Sequence, residues 1–380
     1  MERWQSLLQF LEQDPDNLSL IADAANAAFD AGQLETAQKL LDQHQALADL
    51  PLPLVNLQGL VALRMHDLDA AAAAFDALLG AGINEPSVRF NRAWVHALSE
   101  EHEAALALLD DETVAVTERA AALKVQTLHH LGQIEEALAV GQGMAERFPG
   151  NDSLLGALSV AAMDADDMEL ARHYAGQASG GPDALTTRGL IALNDSNPAA
   201  SLAHFDQALA LHPDAPRAWI GKGLGLVSKG DVAGGTAALR KGAEIFGDHL
   251  GSWIALGWTQ FMARDLAGAR QTFDHALSLD DNFAETHGGL AVLDVAEGNL
   301  ESAQRRADIA LRLDRECFGG MLAKMLMSEA KGNAATAQRI WDKAMNAAIG
   351  AEGQTLAQAM SGLGLDPGKM RPGRGGGSKP

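Results

Sequence analysis

The chain repeats itself every 34 residues, and that period decides what it can fold into. Phe205, Leu239, Phe273, Ala307 and Trp341 share one position of the repeat, and Ala208, Gly242, Ala276, Ala310 and Ala344 follow three residues later. Upstream, Ala37, Ala71, Ala105, Ala137 and Ala171 carry the series on to Ser201, with one step shortened to 32 residues and one to 30. Deletions of that size are expected to fit in loops. A unit this short cannot bury an apolar face alone, so neighbouring units must stack and share a continuous core.

Each unit reads as two amphipathic helices joined by a tight turn, because apolar residues recur at three- and four-residue spacing on either side of it. Gly32, Gly132, Gly230, Gly298 and Gly332 stand where the first helix must end in a left-handed residue, a conformation that costs glycine no Cβ clash. Pro15, Pro149 and Pro213 stand where a second helix should stop. No alternating, β-branched segment competes, so an all-helical chain is expected.

Trp253, Leu256, Gly257, Ala269, Phe273 and Ala276 follow the order Trp-x2-Leu-Gly, Ala, Phe, Ala. In this they resemble the tetratricopeptide repeat. The resemblance covers about ten units, beginning near Leu18, Leu52, Pro86, Glu118, Asp152, Pro182, Pro216, Leu250, Ala284 and Phe318. It is closest from Pro182 to Gly350. Earlier first helices lack the Trp and Gly, and the consensus tyrosine is missing throughout, since the chain's only Tyr is Tyr174. The resemblance implies an all-α, right-handed superhelical solenoid of helix-turn-helix units. It divides the chain into an N-terminal cap or half repeat (1–17), divergent repeats (18–181), near-consensus repeats (182–351), a capping helix (352–364) and a basic Gly/Pro-rich tail expected to be flexible (365–380).

Charge narrows the partners. Lys plus Arg number 29 against 50 Asp plus Glu, a formal charge of −21, so the surface repels nucleic-acid phosphates and anionic lipid. Lys369, Arg371, Arg374 and Lys379 give the tail +4 against −25 for the first 368 residues. Attraction between tail and body suggests one alternative, a self-assembling homo-oligomer. Cys317 is the only cysteine, which leaves no disulfide framework or cysteine cage, and an inert residue packed in a helix is expected. The N-terminus does not read as a signal peptide and no uncharged apolar run reaches membrane-spanning length, so no membrane insertion and a cytoplasmic address are expected.

Candidate chemistry is sparse. His129 and His130 are adjacent on a helix and point about 100° apart, so they cannot chelate one ion together. His96 and His102 straddle a turn. "GKGLGLVSKG" from Gly221 lacks the spacing of a phosphate loop and follows no strand. The acid pairs Asp110-Asp111 and Asp166-Asp167 lie at inter-helix turns and should be solvated. No enzyme activity, metal or cofactor is expected.

The segment "SWIALGWTQF" carries two apolar stripes. Trp253, Leu256, Gly257 and Gln260 form the packing stripe. Ile254, Trp258 and Phe261 form another, turned by about 100°. In tetratricopeptide proteins the positions matching this second stripe face the concave surface where ligands lie. Ile220, Leu224 and Val227, then Gly288, Val292 and Val295, then Leu322 and Leu326 occupy the same positions nearby, and Leu60, Leu63, Phe90 and Trp94 do so near the other end. Either these side chains form a partner-binding groove or a tightly wound array buries them against one another. The run over several units favours the groove. The matching positions lack the cations with which some relatives clamp a chaperone's C-terminal carboxylate. The expected function is a non-catalytic scaffold that holds an apolar or amphipathic segment of a partner protein, for instance as chaperone or adaptor for a secretion or appendage system. A regulatory subunit of a separate enzyme would need the same groove.

Overall fold

The computed structural model describes residues 2–346, 348–349, 354–355 and 357–358. A helix at Arg3–Leu11 precedes ten helix pairs. Their first helices are Leu18–Asp30, Leu52–Arg64, Pro86–Leu98, Glu118–His130, Asp152–Asp164, Pro182–Asn194, Pro216–Ser228, Leu250–Met262, Ala284–Ala296 and Phe318–Ala330, each 13 residues long. They start at the residues from which the sequence units were counted.

The turn after each first helix has one backbone solution. Gly32, Gly132, Gly230, Gly298 and Gly332 have φ between 72° and 86°, and His66, Glu100, Asp166, Ser196 and Arg264 hold φ between 56° and 62° in the other five pairs. A non-glycine residue is uncommon at such φ, so the turn geometry outweighs local preference there. An acidic or amide side chain then caps several second helices: Asp67, Asp167, Asn197, Asp231 and Asp265 each accept from a backbone N–H three residues on.

The repeated small residue lies in the core. Ala37, Ala71, Ala105, Ala137, Ala171, Ser201, Ala269, Ala303 and Ala337 are fully buried. Phenylalanines fill the space between repeats. A Cβ on Gly257 or Gly289 would lie 2.7 or 2.6 Å from the Phe273 ring, so the ring sits between glycines of two successive first helices. Phe205 lies between Gly189 and Gly221 in the same way.

Contacts divide the chain into two compact units, residues 1–161 and 162 onward, with the boundary inside the helix Asp152–Asp164. The change in closeness to consensus, at 182, is a different property.

Three expectations need correction. The shortened steps do not fall in loops. Between Ala105 and Ala137 the second helix shrinks to seven residues, His102–Leu108, and a one-turn helix, Asp111–Val116, follows it. Between Ala171 and Ser201 the second helix, Met168–Gln177, has ten residues where the next, Pro198–Leu211, has 14. The capping helix does not start at 352 either. Gln354–Thr355 pair antiparallel with Ala348–Ile349, the Thr355 N–H donates to Gln358 Oε1 (2.8 Å) and the Gln358 N–H donates to Thr355 Oγ1 (3.3 Å). The rest of that segment, apart from residues 357–358, lies outside the described residues, as does the tail 365–380. Third, Cys317 is not inside a helix. It caps one, with Sγ accepting from the Gly320 N–H.

Candidate functional site

The two stripes of Leu250–Met262 separate cleanly. On the packing stripe, Trp253 is half-buried and its indole N–H donates to the Gly247 carbonyl (2.6 Å), as Trp219 one repeat earlier donates to Pro213 (2.7 Å). Leu256 is fully buried, and Gln260, where the consensus has tyrosine, accepts from Thr272 Oγ1 at 2.7 Å.

The second stripe turns inward. Ile254 is 8% exposed, and Trp258 and Phe261 are half-buried. The Trp258 ring meets Phe261, Phe273 and Phe318 edge-on at centroid distances of 5.8, 5.6 and 5.7 Å. Its indole N–H donates to Glu285 Oε1 at 3.1 Å. Glu285 also accepts from the Gly319 N–H (3.1 Å) and the Cys317 thiol (3.1 Å). Burial pushes the Glu285 carboxyl up from its usual range, against the pull of those hydrogen bonds. Burial, and next the neighbouring Glu285 carboxylate, push the Cys317 thiol upward too, so it stays protonated and is a poor nucleophile.

Glycine makes this closure possible. A Cβ on Gly288 would lie 2.7 Å from the Gly320 nitrogen, and one on Gly319 would lie 2.6 Å from the Gly288 carbonyl carbon. The helices Ala284–Ala296 and Phe318–Ala330 therefore touch backbone to backbone. That contact brings Phe318 across the intervening repeat onto Trp258. Val292 is fully buried beneath it and Val295 half-buried.

Of the residues assigned to a groove, Ile254, Trp258, Phe261, Val292 and Val295 come together in adjoining core clusters of the second unit. Ile254 and Val292 present no usable surface. Ile220, Leu224 and Val227 are half-buried; Ile220 and Val227 rest where a Cβ on Gly242 or Gly235 would otherwise be, against their own second helix. Phe90 and Trp94 belong to the first unit. They form an edge-to-face pair at 5.6 Å, both half-buried, and the Trp94 indole N–H has no hydrogen-bond partner among the described residues. Leu60 and Leu63, also half-buried, pack on a core cluster that includes Val88 and Val95 of the helix carrying Phe90 and Trp94. On the same series of helices Asn56 Oδ1 is buried without a partner and the Arg64 guanidinium lies 4.3 Å over the Phe29 ring.

Sequence reading missed Glu285, Gly319 and the capping role of Cys317, and placed Gly288 on the groove stripe without its part in the close helix approach. The doublets Gly288-Gly289 and Gly319-Gly320 were the available signal, since two glycines early in successive first helices permit close backbone approach. Asp110 is exposed at an inter-helix turn, as expected, and also has a local structural role. It caps the helix Asp111–Val116 through the Thr113 N–H (2.8 Å) and, with Glu112 (2.6 Å), receives the buried Arg89. The Thr113 hydrogen bonds, and then Arg89, hold its carboxyl below the usual range. His96 lies 2.5 Å from Glu101, and His102 stacks on His130 at 4.6 Å. Among the described residues no three His, Cys, Asp or Glu side chains gather as a metal set, and no helix is long and apolar enough to cross a membrane.

The family model for a tetratricopeptide repeat matches residues 56–120 and 186–249. The fold is similar to a chain of the APC/C hetero-tetramer Cut9-Hcn1, at 12% identity and a TM-score of 0.53 over 90% of this chain and 83% of that one. It is also similar to a monomeric mutant of IFIT1 with m7Gppp-AAAA, at 11% identity and a TM-score of 0.52 over 86% of this chain and 90% of that one. At such identities the likeness is one of fold. No curated protein matches the sequence significantly. Residues 56–120 and 186–249 match tetratricopeptide repeats, and the helix pairs along the described chain share the fold of tetratricopeptide-repeat solenoids. Proteins of this class generally mediate protein–protein contacts as non-catalytic scaffolds.

Proposed function

We propose that this chain is a non-catalytic adaptor whose first unit holds an apolar or amphipathic segment of a partner protein on its first-helix face, around Leu60, Leu63, Phe90 and Trp94. The single observation that carries this is the free Trp94 indole N–H beside Phe90. Trp219, Trp253 and Trp258 all spend theirs inside the protein. A half-buried aromatic pair with an unused donor offers apolar area and one directional contact, the mix that anchors protein interfaces.

The flanking charge supports a partner with basic flanks. Residues 1–161 contain 24 acids and 8 bases, and Arg89, Arg92 and Lys124 are already paired. Exposed Asp30, Asp67, Glu85, Glu100 and Glu118 mark the ends of the first helices. Such acids mainly steer encounter and exclude acidic competitors. The same charge makes nucleic acid an unsuitable partner, and a cytoplasmic setting completes this reading.

The test is quantitative affinity capture from the native lysate with the full chain and a Phe90→Ser, Trp94→Ser variant of unchanged helicity and melting temperature. Selective loss of one or a few proteins from the variant is the expected result. Retention of every captured protein refutes the assignment of this face.

A further inference from the structure

Three joints between successive repeats share a polar device, and another joint has only half of it. The seventh residue of a first helix is a cation in five repeats: Arg92, Lys124, Arg188, Lys222 and Lys324. Three of these reach an aspartate that is the ninth residue of the preceding second helix. Arg92 Nε lies 2.7 Å from Asp76, Lys222 Nζ 2.7 Å from Asp206, and Lys324 Nζ 2.5 Å from Asp308. Lys124 follows the broken second helix and takes Asp111 instead, at 3.7 Å. Arg188 has no carboxylate partner among the described residues, because the ninth residue of the preceding helix, Met168–Gln177, is Gly176.

A pocket of about 250 Å³ opens beside Gly176, where a Cβ would meet nothing within 4 Å. Arg188 forms its wall. Its Nε donates to the Ala175 carbonyl (2.8 Å) and its Nη2 to that of Ala178, while Nη1 makes no hydrogen bond among the described residues. His204 lines the pocket with Nδ1 buried and without a partner. Burial, and then the Arg188 charge, lower the pKa of that imidazole. Asn197 spends its side-chain oxygen on the Ala200 N–H, which leaves its NH₂ group as a donor. Arg172 is already satisfied by Asp195, at 3.0 and 3.1 Å, so those two charges offset each other. The unmatched charge in the wall is that of Arg188.

Capping the short helix explains Nε and Nη2 of Arg188, since a cation suits the last carbonyls of a helix. It does not explain the free Nη1, the orphaned His204 nitrogen or the open space beside Gly176. We propose that this pocket binds a carboxylate, whose oxygens take on Arg188 the place that Asp76, Asp206 and Asp308 take at the other joints, with Asn197 and His204 beside them. A planar carboxylate matches the guanidinium edge. The site is distinct from the Phe90–Trp94 face and stands or falls independently of it.

The experiment is isothermal titration calorimetry of the full chain at low ionic strength with succinate and, separately, with the peptide acetyl-Gly-Glu-Gly-amide, whose only carboxylate is a side chain. Acetyl-Gly-Gln-Gly-amide is the neutral control. Gly176→Asp supplies the missing carboxylate from within and has room to do so, so it should weaken carboxylate binding at least tenfold, about 1.4 kcal/mol, without loss of helicity. Arg188→Gln should weaken binding comparably, with a donor kept for the short helix. Binding of succinate alone identifies a small organic acid as ligand; binding of the glutamate peptide identifies an acidic side chain of a partner. The proposal is overturned if neither carboxylate probe binds the unmodified chain, if the glutamine peptide binds as well, or if both variants bind as tightly as the unmodified chain.

Discussion

Trp258→Ala separates the two roles an exposed-looking tryptophan can have. The ring touches Phe261, Phe273 and Phe318, and its N–H serves a desolvated carboxylate. Truncating a core Trp costs about 3–5 kcal/mol; partial burial reduces that term here to about 2. Removing a donor from the buried Glu285 adds about 1–2 kcal/mol. The sum is about 3–4 kcal/mol. Trp258→Phe keeps most of the ring contact and should show only the second part. Trp94→Ala orphans no carboxylate and should cost about 1–2 kcal/mol. Urea denaturation of the full chain, followed by far-UV circular dichroism, gives all three values on one scale. A loss below about 1 kcal/mol for Trp258→Ala would refute the reading that this ring holds the last repeats together, and would return it to the set of partner contacts.

Gly288→Ala and Gly143→Ala should shift stability in opposite directions. The first drives a methyl into the Gly319–Gly320 backbone and should cost about 1–3 kcal/mol despite better helix propensity. The second meets nothing within 4 Å inside Ile134–Arg147 and should gain up to about 1 kcal/mol, so equal signs in urea denaturation would refute the close approach. Glu285 has a folded-state pKa above its ordinary 4.5, so the folded chain binds that proton more tightly than the unfolded one. Stability from this group is therefore present below the unfolded value and lost as pH rises through the folded one. Glu285→Gln should flatten the fall of the urea midpoint as pH rises from 4.5 toward neutrality, and parallel curves for the two proteins would contradict the buried-carboxylate account.

The period of alanines, phenylalanines and turn glycines was enough to place every first helix, because each mark reports a constraint within one repeat. The cutting back of second helices was not legible. A deletion count does not say whether a loop or a helical turn absorbs it, and only the missing last turn of Met168–Gln177 shows where the four residues went. Ile254 and Trp258 were legible as a second stripe but not as an interior one. Their direction depends on how closely the helices beginning at Ala284 and Phe318 approach, which Gly288 and Gly319 set from outside the segment. The Arg188 pocket needed both levels: a register shared by five cations, and the structure to show that one of them faces open space.

Repeat arrays are usually treated as chains in which each link feels only its immediate neighbours, so that end repeats can fray one at a time. Trp258 and Arg217 make contacts that skip a link. Trp258 reaches Phe318 over the intervening repeat, and Arg217 reaches Asp164 in the same way with hydrogen bonds of 2.9 and 2.6 Å. Opening the repeat at Phe318 must therefore release side chains two repeats back. In the language of amide exchange, the helices from Leu250 to Ala330 should open as a single cooperative block, with protection that stays level across all three repeats and does not decline toward the end of the array.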